Sequence, residues 1–256
     1  MRLGELAARY DERLRTADFA EIDKSANGIQ VGDPDAEVDR AAFAVDAVQA
    51  TIEAAVDADA DLLCAHHGIV WGGLERVTGR TYDRVSTLIE ADLALYAAHL
   101  PLDAHLELGN AAGVADRLDL TDREPFGEEG PETVGLRGRV ADGPIPAEEL
   151  EARLADGLGD VDPPVRSLPF GPDPIEEVAV ITGFGADWLE ATAEAGVDAL
   201  VTGEGTQSLY HRAREEGVTV LLGGHYATET FGVRRLQSLA EEWGLETAYI
   251  DWPTGF

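Results

Sequence analysis

The run Asp61-Leu62-Leu63-Cys64-Ala65-His66-His67-Gly68 decides how this 256-residue chain is read. It is a short apolar segment, of the length shown by a fully buried parallel strand, and it ends in two adjacent histidines and a glycine. In an open α/β sheet, ligands gather beyond the carboxyl ends of the strands, so two imidazoles at such an end suggest a metal. Neighbouring residues of an ideal strand face opposite ways. To aim both rings at one site the chain must leave strand geometry, and Gly68 permits that bend. Taken alone, the pair is equally well one buried histidine and one exposed one.

Outward from this run the pattern is regular. Ala41 to Val45 reads as a strand, Val48/Ile52/Ala55/Val56 as a helix face, and Asp61 to Ala65 as the next strand. A Gly-rich loop through Trp71-Gly72-Gly73 leads to a helix carrying Val85/Leu88/Ile89. Leu93 to Ala98 then reads as a strand ending at His99-Leu100-Pro101-Leu102-Asp103. Strands alternating with helices predict βαβ units and a largely parallel sheet. Before them, Leu3/Leu6/Tyr10/Leu14 spaces an amphipathic helix, and Ser25 to Pro34 is a loop or edge strand.

From Thr121 to Pro174 the character changes: nine of the 12 prolines fall there, among many acids. Val134 to Val140 and Val165 to Phe170 read as strands, and Leu150/Leu154/Leu158 as a helix stripe. The expected division is 1–120, carrying His66, His67 and Asp103 and completed by 220–256, with 121–219 as a second α/β domain. After Pro174 the alternation resumes as a repeat. Val178 to Gly205 lies over Ala41 to Gly68 without a gap, and an extra loop in the first copy then brings His99 onto His225 and Asp103 onto Glu229. Each copy so ends in a strand followed by His-x-x-x-carboxylate. The fold expected is α/β, two similar domains related by a pseudo-twofold axis, with polar groups converging between them.

Glu229 lies four residues beyond His225, so the two can share a helix face; alternatively Glu229 only complements a helix dipole. Pro101 bars a helix through the middle of the His99–Asp103 pair, and Asp103 can be read as a helix cap. Together His66, His67, Asp103, His225 and Glu229 make three nitrogens and two carboxylates. That set is too rich for one tetrahedral ion with an open position. It suits two divalent ions, and Zn, Fe, Mn, Co and Ni all accept such ligands. His99 and Glu204 are candidates for catalytic proton transfer or for bracing the ligands. His105 and His211 read as helix-surface residues. Trp71, Tyr226 and Phe231 could line a pocket for a flat base. Cys64 reads as a buried strand residue, and Gly203-Glu204-Gly205 lacks the Gly-Lys-Ser/Thr of a phosphate loop.

Composition narrows the classes. The chain is 45% hydrophobic with no apolar run long enough to span a membrane, and its start has no signal-peptide pattern. One cysteine suits a reducing cytoplasm. Fifty acidic residues against 19 basic give a net charge of −31, and Lys24 is the only lysine. Periodic apolar segments argue against disorder, so the acid forms a surface coat of the kind found in salt-loving organisms. That coat disfavours nucleic acid unless arginines such as Arg212, Arg214, Arg234 and Arg235 cluster.

The words Asn27-Gly28-Ile29-Gln30-Val31-Gly32, His66-His67-Gly68, His99 to Asn110, Thr202-Gly203-Glu204 and Gly224 to Glu229 occur in that order. They resemble the motifs of the Nif-three-like family, often labelled GTP cyclohydrolase I type 2 homologues. The resemblance covers nearly the whole chain. It implies a dinuclear metal site between two similar α/β domains, carried onto His66, His67, Asp103, His225 and Glu229. It also implies a homo-oligomer, a toroidal hexamer built as a trimer of dimers. Leu100-Pro101 and Ser25-Ala26-Asn27 depart from the commoner family pattern and bear on substrate choice. The function expected is a metal-dependent hydrolase acting on a nucleotide-like substrate. Its rival is a non-catalytic metal-binding scaffold or metal-trafficking ring.

Overall fold

The computed structural model describes residues 1–159 and 162–255, and the chain forms two compact units. One comprises Met1–Leu102 and Gly232–Trp252, the other Asp103–Phe231 and Pro253–Phe256. The change of unit thus falls at Leu102/Asp103 rather than near 120, and Asp103 opens the second unit. The first unit is completed by 232–252, a shorter piece than 220–256. In chain order it contains α1 (Leu3–Leu14), β1 (Gly28–Val31), β2 (Arg40–Asp46), α2 (Gln49–Asp57), β3 (Leu62–His67), α3 (Arg80–Glu90) and β4 (Ala94–Ala97). The chain passes into the second unit along α4 (Leu100–Ala104). There follow α5 (Asn110–Arg117), β5 (Leu120–Glu129), β6 (Glu132–Val140), α6 (Ala147–Leu158), β7 (Arg166–Leu168) and β8 (Glu177–Val180). Next come α7 (Leu189–Glu194), β9 (Ala199–Thr202), α8 (Gln207–Glu216), β10 (Thr219–Leu222) and α9 (His225–Thr228). The chain returns along α10 (Thr230–Glu242) to β11 (Glu246–Tyr249).

The first sheet has the order β1-β4-β3-β2-β11, with β1 antiparallel at one edge and the rest parallel. The interior strands β2, β3 and β4 are buried nearly end to end, as strands covered on both faces must be. One face packs Ala42, Ala44, Leu63, Ala65 and Leu95 against Ile52, Ala55 and Leu88. On helix α1, Tyr10 stacks at 5.4 Å from Tyr96 and 5.0 Å from Trp243, and its hydroxyl donates to the Leu236 carbonyl at 2.8 Å. Ile89 does not join the expected helix face: it is 61% exposed, while Leu88 takes the core position.

The second sheet has the order β5-β6-β8-β9-β10-β7. Within it, β8, β9 and β10 are parallel and β7 is antiparallel at the edge. This is the strand order of the first unit, with β7, β8, β9 and β10 standing for β1, β2, β3 and β4. The likeness extends to single bonds. The Asp61 carboxylate accepts the backbone N–H of Asp39 and of Arg40, both at 2.9 Å. Asp198, its counterpart, accepts those of Glu176 and Glu177 at 2.8 and 3.0 Å. The repeat is therefore structural, with one correction. Ala65 pairs with Ala97, and Thr202 with Leu222, so the strand registers make His99 the equivalent of Gly224, one residue from the expected His225.

The acid-rich stretch from Leu120 to Glu129 forms a strand. β5 and β6 form a hairpin, and β5 is the outer strand, studded with charge, carrying Pro125 and shifted in register between Thr121 and Glu124. Such features keep an exposed edge from pairing with other chains, and they also erase the alternation that marks a strand in sequence.

Candidate metal centre

In the first unit the site grows from the end of β3. Both His66 and His67 lie within the strand, His66 fully buried and His67 about one-fifth exposed, with ring centroids 4.5 Å apart. His99, just after β4, brings its ring to 5.2 Å from His66 and 5.6 Å from His67. One ring nitrogen from each of the three lies within 4.8 Å of the others. Gly68 is needed for room rather than for a left-handed bend: a Cβ there would sit 2.4 Å from the Gln30 side chain. The Gln30 side-chain oxygen, Oε1, accepts the N–H groups of Ile69 and Val70 at 2.7 and 3.1 Å, which braces the turn beyond the histidines.

Each imidazole is oriented by its Nδ1. His66 Nδ1 donates to the Ala98 carbonyl at 2.9 Å, His67 Nδ1 to Asp46 at 2.9 Å, and His99 Nδ1 to Asp23 at 2.8 Å. A carbonyl or carboxylate partner can only accept, so the proton is on Nδ1 and a neutral ring presents its Nε2 lone pair to a ligand. This is how metal-binding histidines are held. Asp23 is itself tightly organised, accepting Ser25 N, Asn27 Nδ2 and Leu100 N as well. Burial pushes its pKa up, but the hydrogen bond and charge of His99, with the Asn27 and Ser25 donors, outweigh this and hold it below the ordinary value.

The second unit supplies a carboxylate-rich set. Asp103 lies in α4, which runs from Leu100 through Pro101; a proline in a first helical turn displaces no hydrogen bond, so Pro101 does not bar the helix. The buried Asp103 accepts Asn110 Nδ2 at 2.8 Å and Thr182 Oγ1 at 3.2 Å, both on Oδ1. His225 opens α9 after the β10 strand. Its Nδ1 donates to Glu204 Oε1 at 2.9 Å, and its Nε2 lies 3.2 Å from Glu229 Oε2. Glu204 therefore holds His225 as Asp46 holds His67. Burial lowers the His225 pKa, but the hydrogen bond and charge of Glu229, then those of Glu204, carry it up to about 9. An imidazole between two carboxylates calls for positive charge, which a proton or a metal ion can supply. Gly183 makes the space: its φ is +58°, and a Cβ there would fall 2.2 Å from Glu229 Oε1 and 3.1 Å from His225 Nε2.

The other singled-out residues sort plainly. Trp71 stands beside the first set, 5.0 Å from His99 and 6.0 Å from His67, while Tyr226 is buried and Phe231 packs into the second core. His105 lies past the end of α4 rather than on a helix, its Nδ1 accepting Glu107 N and Leu108 N at 3.1 and 3.0 Å. Arg212 pairs with Glu190, and Arg234 lies 3.6 Å over the Tyr249 ring. Cys64 is buried, and burial pushes its thiol pKa well up, away from reactivity. Among the described residues no helix is long and apolar enough to cross a membrane. Sequence reading did not single out Asp23, Asn27, Gln30 and Asp46 as supports. The signal available for three of them was their crowding into one short segment, 23–30, that runs into β1.

Two α/β units of one strand order, carrying histidines and carboxylates able to hold a metal ion, define the class of protein. The chain belongs to the Duf34/NIF3 (NGG1p interacting factor 3) family, whose profile matches residues 1–254. A Halobacterium salinarum relative described as a GTP cyclohydrolase 1 type 2 homolog is 55% identical over 255 residues, spanning 100% of each chain. Among solved structures, protein ybgI superimposes with a TM-score of 0.90 at 34% identity, and a Thermus thermophilus protein with 0.88 at 36%; both matches cover 100% of each chain.

Proposed function

We propose that this chain binds two divalent ions through His66, His67, Asp103, His225 and Glu229 and acts as a metal-dependent hydrolase on a nucleotide-like substrate. The observation that carries this reading is the common tethering of the histidines. Each imidazole is held through Nδ1 by a carbonyl or carboxylate, which sets Nε2 as the donor atom. When bound, such ions lower the pKa of water toward neutrality and polarise the substrate's electrophilic atom. Zn, Fe, Mn, Co and Ni all suit this mixture of nitrogen and oxygen.

The chain's own residues would do the rest. His99, steadied at Nδ1 by Asp23, accepts a proton on its Nε2 lone pair and returns it, whereas Glu204 is a positioning residue that acts through His225. The nucleotide class is supported by the description of the Halobacterium salinarum relative as a GTP cyclohydrolase 1 type 2 homolog. A toroidal hexamer in a reducing cytoplasm, consistent with the single buried cysteine, completes the proposal.

The test is elemental analysis of protein purified without chelator in concentrated KCl, followed by a screen of nucleotides and phosphoesters. Two ions per chain and turnover are expected, with metal lost in His66→Ala and Glu229→Ala. Metal without turnover would make the chain a non-catalytic scaffold; no metal would remove the proposal. Light scattering checks the hexamer.

A further inference from the structure

The cations of this protein are scarce, and most are consumed by the acids around them. Arg40 pairs with Glu246, Arg139 with Glu176 and Glu177, and Arg153 with Glu149. Lys24, Arg76, Arg80 and Arg84 make no ion pair among the described residues, although 50 acids are available to 19 bases. Arg117, Arg166 and Arg214 in the other unit also make none, and Arg234 makes none but lies over the Tyr249 ring, as Arg117 lies over that of Phe231. The four are gathered on the segments that frame the histidines of the first unit. Lys24 follows Asp23, the residue that holds His99. Its carbonyl accepts Gly72 N at 2.6 Å, Ala26 N donates to the Val70 carbonyl at 3.1 Å, and Ser25 bridges to Trp71. The Trp71 indole N–H donates to the Gly68 carbonyl at 3.0 Å, so the ring is pinned beside His67 and His99 while 44% exposed.

From Trp71 the chain runs through residues that are all exposed, Arg76 among them, to the start of α3. A crossover helix begins at the carboxyl end of the preceding strand. Arg80 and, one turn on, Arg84 therefore start from the sheet end where β3 delivers its histidines. Between 71 and 89 the charges are Arg76, Arg80 and Arg84 against Glu75 and Asp83, a net of +1 in a chain of −31. Such an exception in an acidic coat is a place where an anion meets less repulsion. At molar salt the Debye length is about 3 Å, so these cations act by contact and not by long-range attraction. Guanidinium groups that no carboxylate occupies suit contact with phosphate oxygens.

We propose that Lys24, Arg76, Arg80 and Arg84 form an anion-receiving rim on the histidine site, taking the phosphates of a ligand whose flat ring stacks on Trp71. This rests on the metal-centre reading above and adds to it where the ligand's charged end lies. Arginine and tryptophan together are the pairing that recognises a phosphorylated aromatic compound.

The test uses the full chain in 2 M KCl, with inorganic tripolyphosphate and GTP as probes in calorimetric titration, metal-loaded and after EDTA treatment. Relative to wild type, the combined Arg76→Ala, Arg80→Ala and Arg84→Ala protein is expected to bind both probes about tenfold more weakly or worse. Trp71→Ala is expected to weaken GTP and spare tripolyphosphate. Circular dichroism of these surface variants should match wild type, and metal content should stay unchanged. Arginine-dependent tripolyphosphate binding by a chain that holds no metal upholds the rim and removes the metal reading instead. Wild type binding neither probe, or the triple variant binding tripolyphosphate like wild type, overturns the rim.

Discussion

Replacing Gly183 by Ala tests whether the Glu229–His225 pair is a built ligand cradle. Two costs meet there. The first is backbone: φ is +58°, where an L side chain is strained by about 1–2 kcal/mol. The second is space, because the new Cβ would lie 2.2 Å from Glu229 Oε1, and ordinary contact begins at 3.4 Å. The backbone of Gly183 cannot retreat easily. Its carbonyl accepts Gly203 N and Glu204 N, each at 2.9 Å, and its N–H donates to Thr228 Oγ1 at 3.3 Å. The carboxylate must therefore move by about 1 Å, adding about 1–3 kcal/mol of overpacking.

Gly196→Ala is the control. It has φ +71° and no atom within 4 Å of the new Cβ, so it carries the backbone cost alone. Denaturant unfolding of metal-free protein should rank wild type above Gly196→Ala, and that above Gly183→Ala. Metal affinity by competitive chelation should drop about 10- to 100-fold in Gly183→Ala only, as when other groups that orient ligands are disturbed. Equal stability and equal metal affinity in the two variants would refute the cradle.

In metal-free protein the His225 pKa is raised from 6.5 to about 9, so its folded state binds the proton more tightly than the unfolded one. The resulting stability is complete below about pH 6.5 and is lost as pH rises through 9, an effect of about 2–3 kcal/mol that His225→Gln should flatten. Raising pH should in the same range strengthen metal binding, since the ion displaces that proton; a chelator titration at pH 6.5 and 9 checks the opposed trends. Asp61→Ala and Asp198→Ala each strip the acceptor from two backbone N–H groups and should cost about 1–3 kcal/mol apiece in urea unfolding. A large cost at one site with none at the other would break the equivalence of the repeats. With net charge −31, the melting temperature should climb from 0.1 to 2 M KCl as self-repulsion is screened; a flat or falling profile would refute a salt-adapted surface.

Much of the fold was legible because βαβ units write themselves as apolar runs of two lengths. The buried strands at 41–45 and 61–65 and the stripe Leu3/Leu6/Tyr10/Leu14 stand in the structure where their spacing placed them. What stayed hidden lay where local pattern and packing part company. The edge strand β5 carries acid and proline where most of its residues are exposed, and Ile89 points outward although its period matches that of Leu88. Gly68 was expected to bend the chain, but it answers to the Gln30 side chain packed against it.

By itself the sequence determined the α/β class, the repeated unit and the acidic composition, and it marked His66, His67, Asp103, His225 and Glu229 as candidate ligands, because periodicity and side-chain chemistry are local properties. Only the tertiary structure decided which atoms orient them. Asp23 reaching His99, Asp46 reaching His67 and Glu204 reaching His225 are hydrogen bonds across 76, 21 and 21 residues. No local pattern encodes such partners; they exist only once the strands have set their ends side by side.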